Sequence, residues 1–135
     1  MDSLSIPPEC APLLERVGEE FLAAIYHAAT LRQPHNVEAL AELGHIYTRL
    51  GRYQDGLEVD LKLVAHEPLD PLVRYNLACS QALVGLPDDA CSSLETALEL
   101  GYSDVNFLTD DEDLSSLRGF PRFEAILSRM GAAEK

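Results

Sequence analysis

The sequence matches itself at a shift of 34 residues, and no other property narrows its possible folds as far. The shift lays Leu43 on Leu77, Gly51 on Gly85, Asp55 on Asp89 and Asp70 on Asp104. Small residues fall on small ones, Gly44 on Ala78 and Gly56 on Ala90, while Leu50 falls on Val84. In the other direction Pro34 lies on Pro68 and Ala29 on Leu63. A period of about 20–50 residues marks a chain built from stacked supersecondary units that share a continuous core.

Hydropathy within the period is helical. Leu40, Leu43, Ile46, Tyr47 and Leu50 recur at steps of three and four, as one face of a helix requires. Asn36 predicts its N-cap, and Gly51 supplies the left-handed residue after its last turn. A helix from about Tyr53 to His66 carries Leu57, Leu61 and Val64 along one face and ends before Pro68. Asp70-Pro71 opens the next, an N-cap followed by proline at the first helical position, and it stops at Gly85. Another begins near Pro87-Asp88-Asp89 and ends at Gly101. Ahead of these, Leu13, Val17, Phe21, Ile25 and Ala29 predict an amphipathic helix over 12–34, preceded by an extended, proline-rich lead-in at 1–11. Strand alternation is absent, so the fold class is all-α.

Of the 135 residues, 47% are hydrophobic, enough for a single packed domain. Acidic residues outnumber basic ones 23 to 10, a formal charge of −13. The excess is spread over every quarter of the chain, so it belongs to a folded surface and not to a tail. Such a surface repels phosphate backbones and anionic lipids, which argues against nucleic-acid or membrane partners. The start, Met1-Asp2-Ser3, lacks a secretory n-region, and Cys10, Cys79 and Cys91 form no disulfide framework, so the expected compartment is the cytoplasm.

Leu40-x-x-Leu43-Gly44-x-x-Tyr47, with Gly56 and Pro68 downstream, resembles the tetratricopeptide repeat, abbreviated TPR. Residues 37–70 resemble one copy and 71–104 a second, carried by Asn76-Leu77-Ala78, Gly85, Ala90, Leu94 and Ala97. Asp60 stands where the pattern has phenylalanine. The helix at 12–34 resembles the second half of a repeat. After Asp104 the copy is expected to break down into a capping segment at 105–131, with a tail at 132–135. Asp113-Leu114-x-x-Leu117-Arg118-x-x-Pro121-Arg122-Phe123-x-x-Ile126-Leu127 there resembles the terminal segment of many TPR arrays. The resemblance implies a short right-handed α-α superhelix in which Gly44 and Ala78 sit at close helix crossings.

Catalytic and metal constellations are missing from the sequence. His27, His35, His45 and His66 form no pair at helical ligand spacing. The run Asp110-Asp111-Glu112-Asp113 fails the calcium-loop pattern, because Ser116 and Arg122 occupy the required glycine and glutamate positions. It reads instead as helix capping, Thr109-x-x-Glu112 forming a capping box. Cys79 and Cys91 read as small apolar fillers. No nucleophile elbow, phosphate loop or dinucleotide fingerprint occurs, so neither an enzyme, a cofactor nor a metal is expected.

In the resembled fold the first helix of each repeat lines a concave groove. Carried over residue by residue, this implies a partner-binding surface of Glu38, Glu42, His45 and Arg49 from one repeat and Leu72, Tyr75, Asn76 and Cys79 from the next. Tyr75 is the expected aromatic anchor, and Glu38 and Glu42 the charge selectors. Asn76 matches the asparagine that clamps a peptide's terminal carboxylate, but Ala41, Glu42 and His45 do not complete that clamp. The expected function is a non-catalytic protein–protein interaction module taking a basic or apolar peptide or helix. A secretion-type or assembly chaperone and a self-associating scaffold, with a homodimer as partner, are the alternatives.

Overall fold

A computed structural model describes residues 5–133. Residues 1–4 of the predicted lead-in, including Met1-Asp2-Ser3, and the end of the predicted tail lie outside the described residues. A 3-10 turn, Pro8–Cys10, runs directly into α1, Ala11–Arg32, so the lead-in is partly helical. Two helix pairs follow: α2 (Val37–Arg49) with α3 (Tyr53–His66), and α4 (Pro71–Leu83) with α5 (Pro87–Glu99). The chain closes with α6 (Val105–Asp110), a 3-10 helix over Glu112–Leu117, and α7 (Pro121–Ala133). Among the described residues no strand occurs, and no helix is long and apolar enough to cross a membrane.

The signals that punctuate the sequence work as expected. Asn36 Oδ1 accepts a hydrogen bond from Ala39 N at 3.0 Å, and Asp70 Oδ1 accepts from the Leu72 and Val73 amides. Gly51 and Gly85 have φ of 76° and 83°, a conformation costly for any residue with a Cβ.

The 34-residue register does not end at Asp104. Asp104 caps α6 through Phe107 N, 34 residues after the capping Asp70. Gly119, with φ 84°, repeats Gly51 and Gly85 at the same interval. The second helices start at Tyr53, Pro87 and Pro121, again 34 apart. The terminal segment is thus a third helix pair whose first helix is broken. The break lies at Asp111, which is extended (φ −68°, ψ 118°) and restarts the chain by accepting from Asp113 N. This also corrects the capping box, since Thr109 Oγ1 bonds back to Val105 O within α6.

Two apolar clusters form the core. One joins α1, α2 and α3 through Ala23, Leu40, Leu43, Ile46, Tyr47, Val59 and Leu63. The other joins α4 and α5 to the terminal segment through Ala78, Leu94, Leu108, Leu114, Leu117, Phe123 and Ile126. The helices of the first pair approach closely at Gly44, where an added Cβ would sit 3.1 Å from Asp60 Oδ1. Ala78 is fully buried at the equivalent crossing. Outside, Arg122 ties α7 to Glu95, Ser92 and the Asp88 carbonyl of α5.

Two expected faces differ. On α3, Leu61 is half exposed, while Gly56, Leu57, Val59, Asp60 and Leu63 turn inward. The helix is packed on two sides, by α2 and α4, which a single apolar period does not describe. On α1, Ala23 is buried, whereas Leu13, Val17, Phe21 and Ile25 point away from the body. Among the described residues α1 packs on the core through Ala23 and Tyr26 and leaves its apolar stripe outward.

Candidate functional site

A cavity of about 320 Å³ opens where α2 and α4 face each other. From α2 it is lined by Gly44, His45, Thr48 and Arg49, and from α4 by Tyr75, Asn76, Cys79 and Ser80. Asp60 of α3 forms its base, and Phe107, Asp111 and Asp113 of the terminal segment close one side. Of the eight residues inferred from the repeat register, five line it: His45, Arg49, Tyr75, Asn76 and Cys79. Glu38, Glu42 and Leu72 do not.

The terminal segment occupies the half of the groove belonging to α4. Tyr75 is 2% exposed, stacked on Tyr102 with ring centroids 4.6 Å apart and flanked by Phe107. Its hydroxyl donates to Asp111 Oδ2 at 2.6 Å. Burial and the neighbouring thiol and carboxylate hold its pKa far above the usual phenol value. Tyr75 is therefore a core residue under the terminal segment and not an exposed anchor. Cys79 is buried beside it, and burial with the Asp111 and Asp113 carboxylates keeps its thiol protonated.

Cys79, Asp111 and Asp113 bring possible ligand atoms within 4.8 Å of one another, a convergence the sequence spacing did not reveal. The arrangement is explained as structure. Asp111 uses one oxygen to cap the 3-10 helix and the other to accept from Tyr75, with the Cys79 thiol 3.7 Å away. Asp113 is pushed above the ordinary carboxylate range by burial and by Asp111.

At the base, Asp60 is 7% exposed and Ser80 Oγ donates to its Oδ2. Its Oδ1 accepts no hydrogen bond among the described residues. Burial pushes its pKa up to about 7, the serine offsetting only part of the desolvation. Arg49, the basic side chain at the rim, is engaged elsewhere. Its Nε and Nη2 donate to Glu19 of α1 at 3.3 and 3.1 Å, and Glu42 lies 4.0 Å away. The cavity thus gathers Asp60, Asp111 and Asp113, while its arginine is neutralised by carboxylates outside it. Sequence reading passed over Asp60 as a site residue. The available signal was a carboxylate at a position where the repeat pattern is apolar.

No family model matches the chain. An 86-residue stretch is 28% identical to a chloroplastic protein of Arabidopsis thaliana, covering 62% of this chain and 26% of that protein. A 78-residue stretch is 30% identical to Protein O-mannosyl-transferase TMTC1 of Homo sapiens, a TPR-containing protein, covering 58% of this chain and 9% of that one. The chain spans about a quarter or less of the length of these curated relatives. Among solved structures it resembles MamA MSR-1 C2, a TPR-fold protein, with a TM-score of 0.65 at 16% identity, over 90% of this chain and 72% of that one. With three helix pairs in one 34-residue register, the chain has a TPR-like fold.

Proposed function

We propose that the chain is a non-catalytic interaction module whose groove between α2 and α4 receives a lysine or arginine side chain of a protein or peptide partner. Asp60 is the observation that carries this reading: a largely buried carboxylate with one oxygen held by Ser80 and the other bonded by no protein donor among the described residues, lining an open cavity. Burial has already stripped this carboxyl of much of its water, and a charge-assisted bond from an incoming cation offsets that desolvation. Asp111 and Asp113 add negative potential at the cavity wall. The cavity, about 320 Å³, has room for a lysine or arginine side chain together with neighbouring peptide atoms, the rest of the peptide lying along the exposed surface of α2.

The charge selectors in this reading are Asp60, Asp111 and Asp113 in place of Glu38 and Glu42, with His45 and Asn76 at the rim. The net charge of −13 draws basic segments toward the chain and disfavours nucleic acid. A cation beside Asp60 favours its ionised form, so binding below about pH 7 releases a proton.

The test is fluorescence anisotropy with peptides that differ at one position only, Lys, norleucine or Glu, against wild type and Asp60→Asn at pH 8. The lysine peptide should bind wild type best and lose at least about tenfold in affinity on Asp60→Asn, with helicity unchanged. Equal affinity for the lysine and norleucine peptides, or an unaltered variant, contradicts the reading.

A further inference from the structure

The outward face of α1 is a second surface, separate from the groove. Leu13, Leu14, Val17, Phe21, Ile25 and Leu31 all lie on it, each between 47 and 69% exposed. At 100° per residue they fall within about 120° of the helix circumference, a continuous stripe along 22 residues. Gly18 stands at its edge. A Cβ there would meet nothing within 4 Å, so no internal contact demands a glycine that weakens the helix relative to alanine.

We propose that this face is a self-association surface, on which a second copy of the chain lays its own α1 antiparallel to the first. Area is the first argument. The six side chains expose on the order of 600 Å², the upper end of the largest apolar patch on an ordinary monomer. Stable interfaces bury roughly 800 Å² per partner, so this stripe with its flanking residues is the size one copy must contribute. Charge is the second. Arg32 stands at the C-terminal end of the stripe and Glu9 at its N-terminal end, both exposed, while Glu15 and Arg16 flank the stripe on opposite sides. An antiparallel pair crossing near Phe21 brings each Arg32 to the partner's acidic end and sets Gly18 opposite Ala24, where the backbones can approach. A parallel pair would stack arginine on arginine and glutamate on glutamate. A two-fold antiparallel contact is also closed, so it yields a dimer and not a filament.

Sedimentation equilibrium of the full chain, from micromolar to submillimolar concentration, tests this. Wild type should reach twice its 14.8 kDa mass. Phe21→Glu, at an exposed position, should weaken dimerisation about tenfold or more with unchanged helicity. Arg32→Glu should weaken it as well, and adding Glu9→Arg should restore it. A wild type that stays monomeric throughout overturns the proposal, including the case where another protein covers this face. A dimer indifferent to Phe21→Glu, or a double charge reversal that restores nothing, overturns it too.

Discussion

Asp60, the residue on which the proposed groove rests, also carries a structural cost. One repeat later its counterpart is Leu94, which is 1% exposed and packs in the second core. A carboxylate at that position is desolvated on folding, and its pKa rises from 3.8 to about 7. Protons are therefore bound more tightly in the folded state. The stability this contributes is full below about pH 4 and is lost as the pH rises through 7. The loss is on the order of 4 kcal/mol. Asp60→Asn removes the titration, so the variant should gain stability over wild type between pH 5 and 8. Urea midpoints of both proteins at the two pH values check this, and a constant difference between them contradicts it. The sequence showed Asp60 to be out of pattern. It did not show the partnership with Ser80, which lies 20 residues away and depends on how α3 crosses α4.

At the scale of elements, helix ends were far more legible than helix faces. Asn36, Asp70, Gly51, Gly85 and Gly101 act where local chemistry alone places them, because caps and left-handed glycines answer to backbone groups a few residues away. Faces depend on neighbours. The period of α1 is plain in the sequence, yet nothing in it says that no helix of the described array lies against the stripe. The terminal segment shows the same division. Its apolar residues Leu114, Leu117, Phe123 and Ile126 were readable as a covering layer, and they are buried. The break at Asp111 was not, because it answers to the hydroxyl of Tyr75, 36 residues earlier. Asp111→Ala removes both the cap of the 3-10 helix and the acceptor of a buried tyrosine. It should cost about 1–3 kcal/mol, with faster hydrogen exchange concentrated in residues 105–117. Uniform acceleration across α2 and α3 would show that the segment is not held at this point.

The described residues form a three-step array, and about three repeats are what such stacks need for stability. Its third pair does more than cover α4 and α5. By folding α6 and the 3-10 helix across α4 it covers the Tyr75 side of the groove and leaves a cavity of about 320 Å³. In the proposed reading the acidic excess has two roles at this scale, repelling anionic partners at a distance and concentrating carboxylates around an opening whose arginine is held by Glu19. Amide chemical-shift mapping during titration with a lysine-bearing peptide tests the central claim most directly. The groove reading predicts saturable shifts centred on His45, Thr48, Asn76, Cys79 and Phe107. Shifts confined to α1 or to the outer faces of α3 and α5, or none at millimolar peptide, would contradict it.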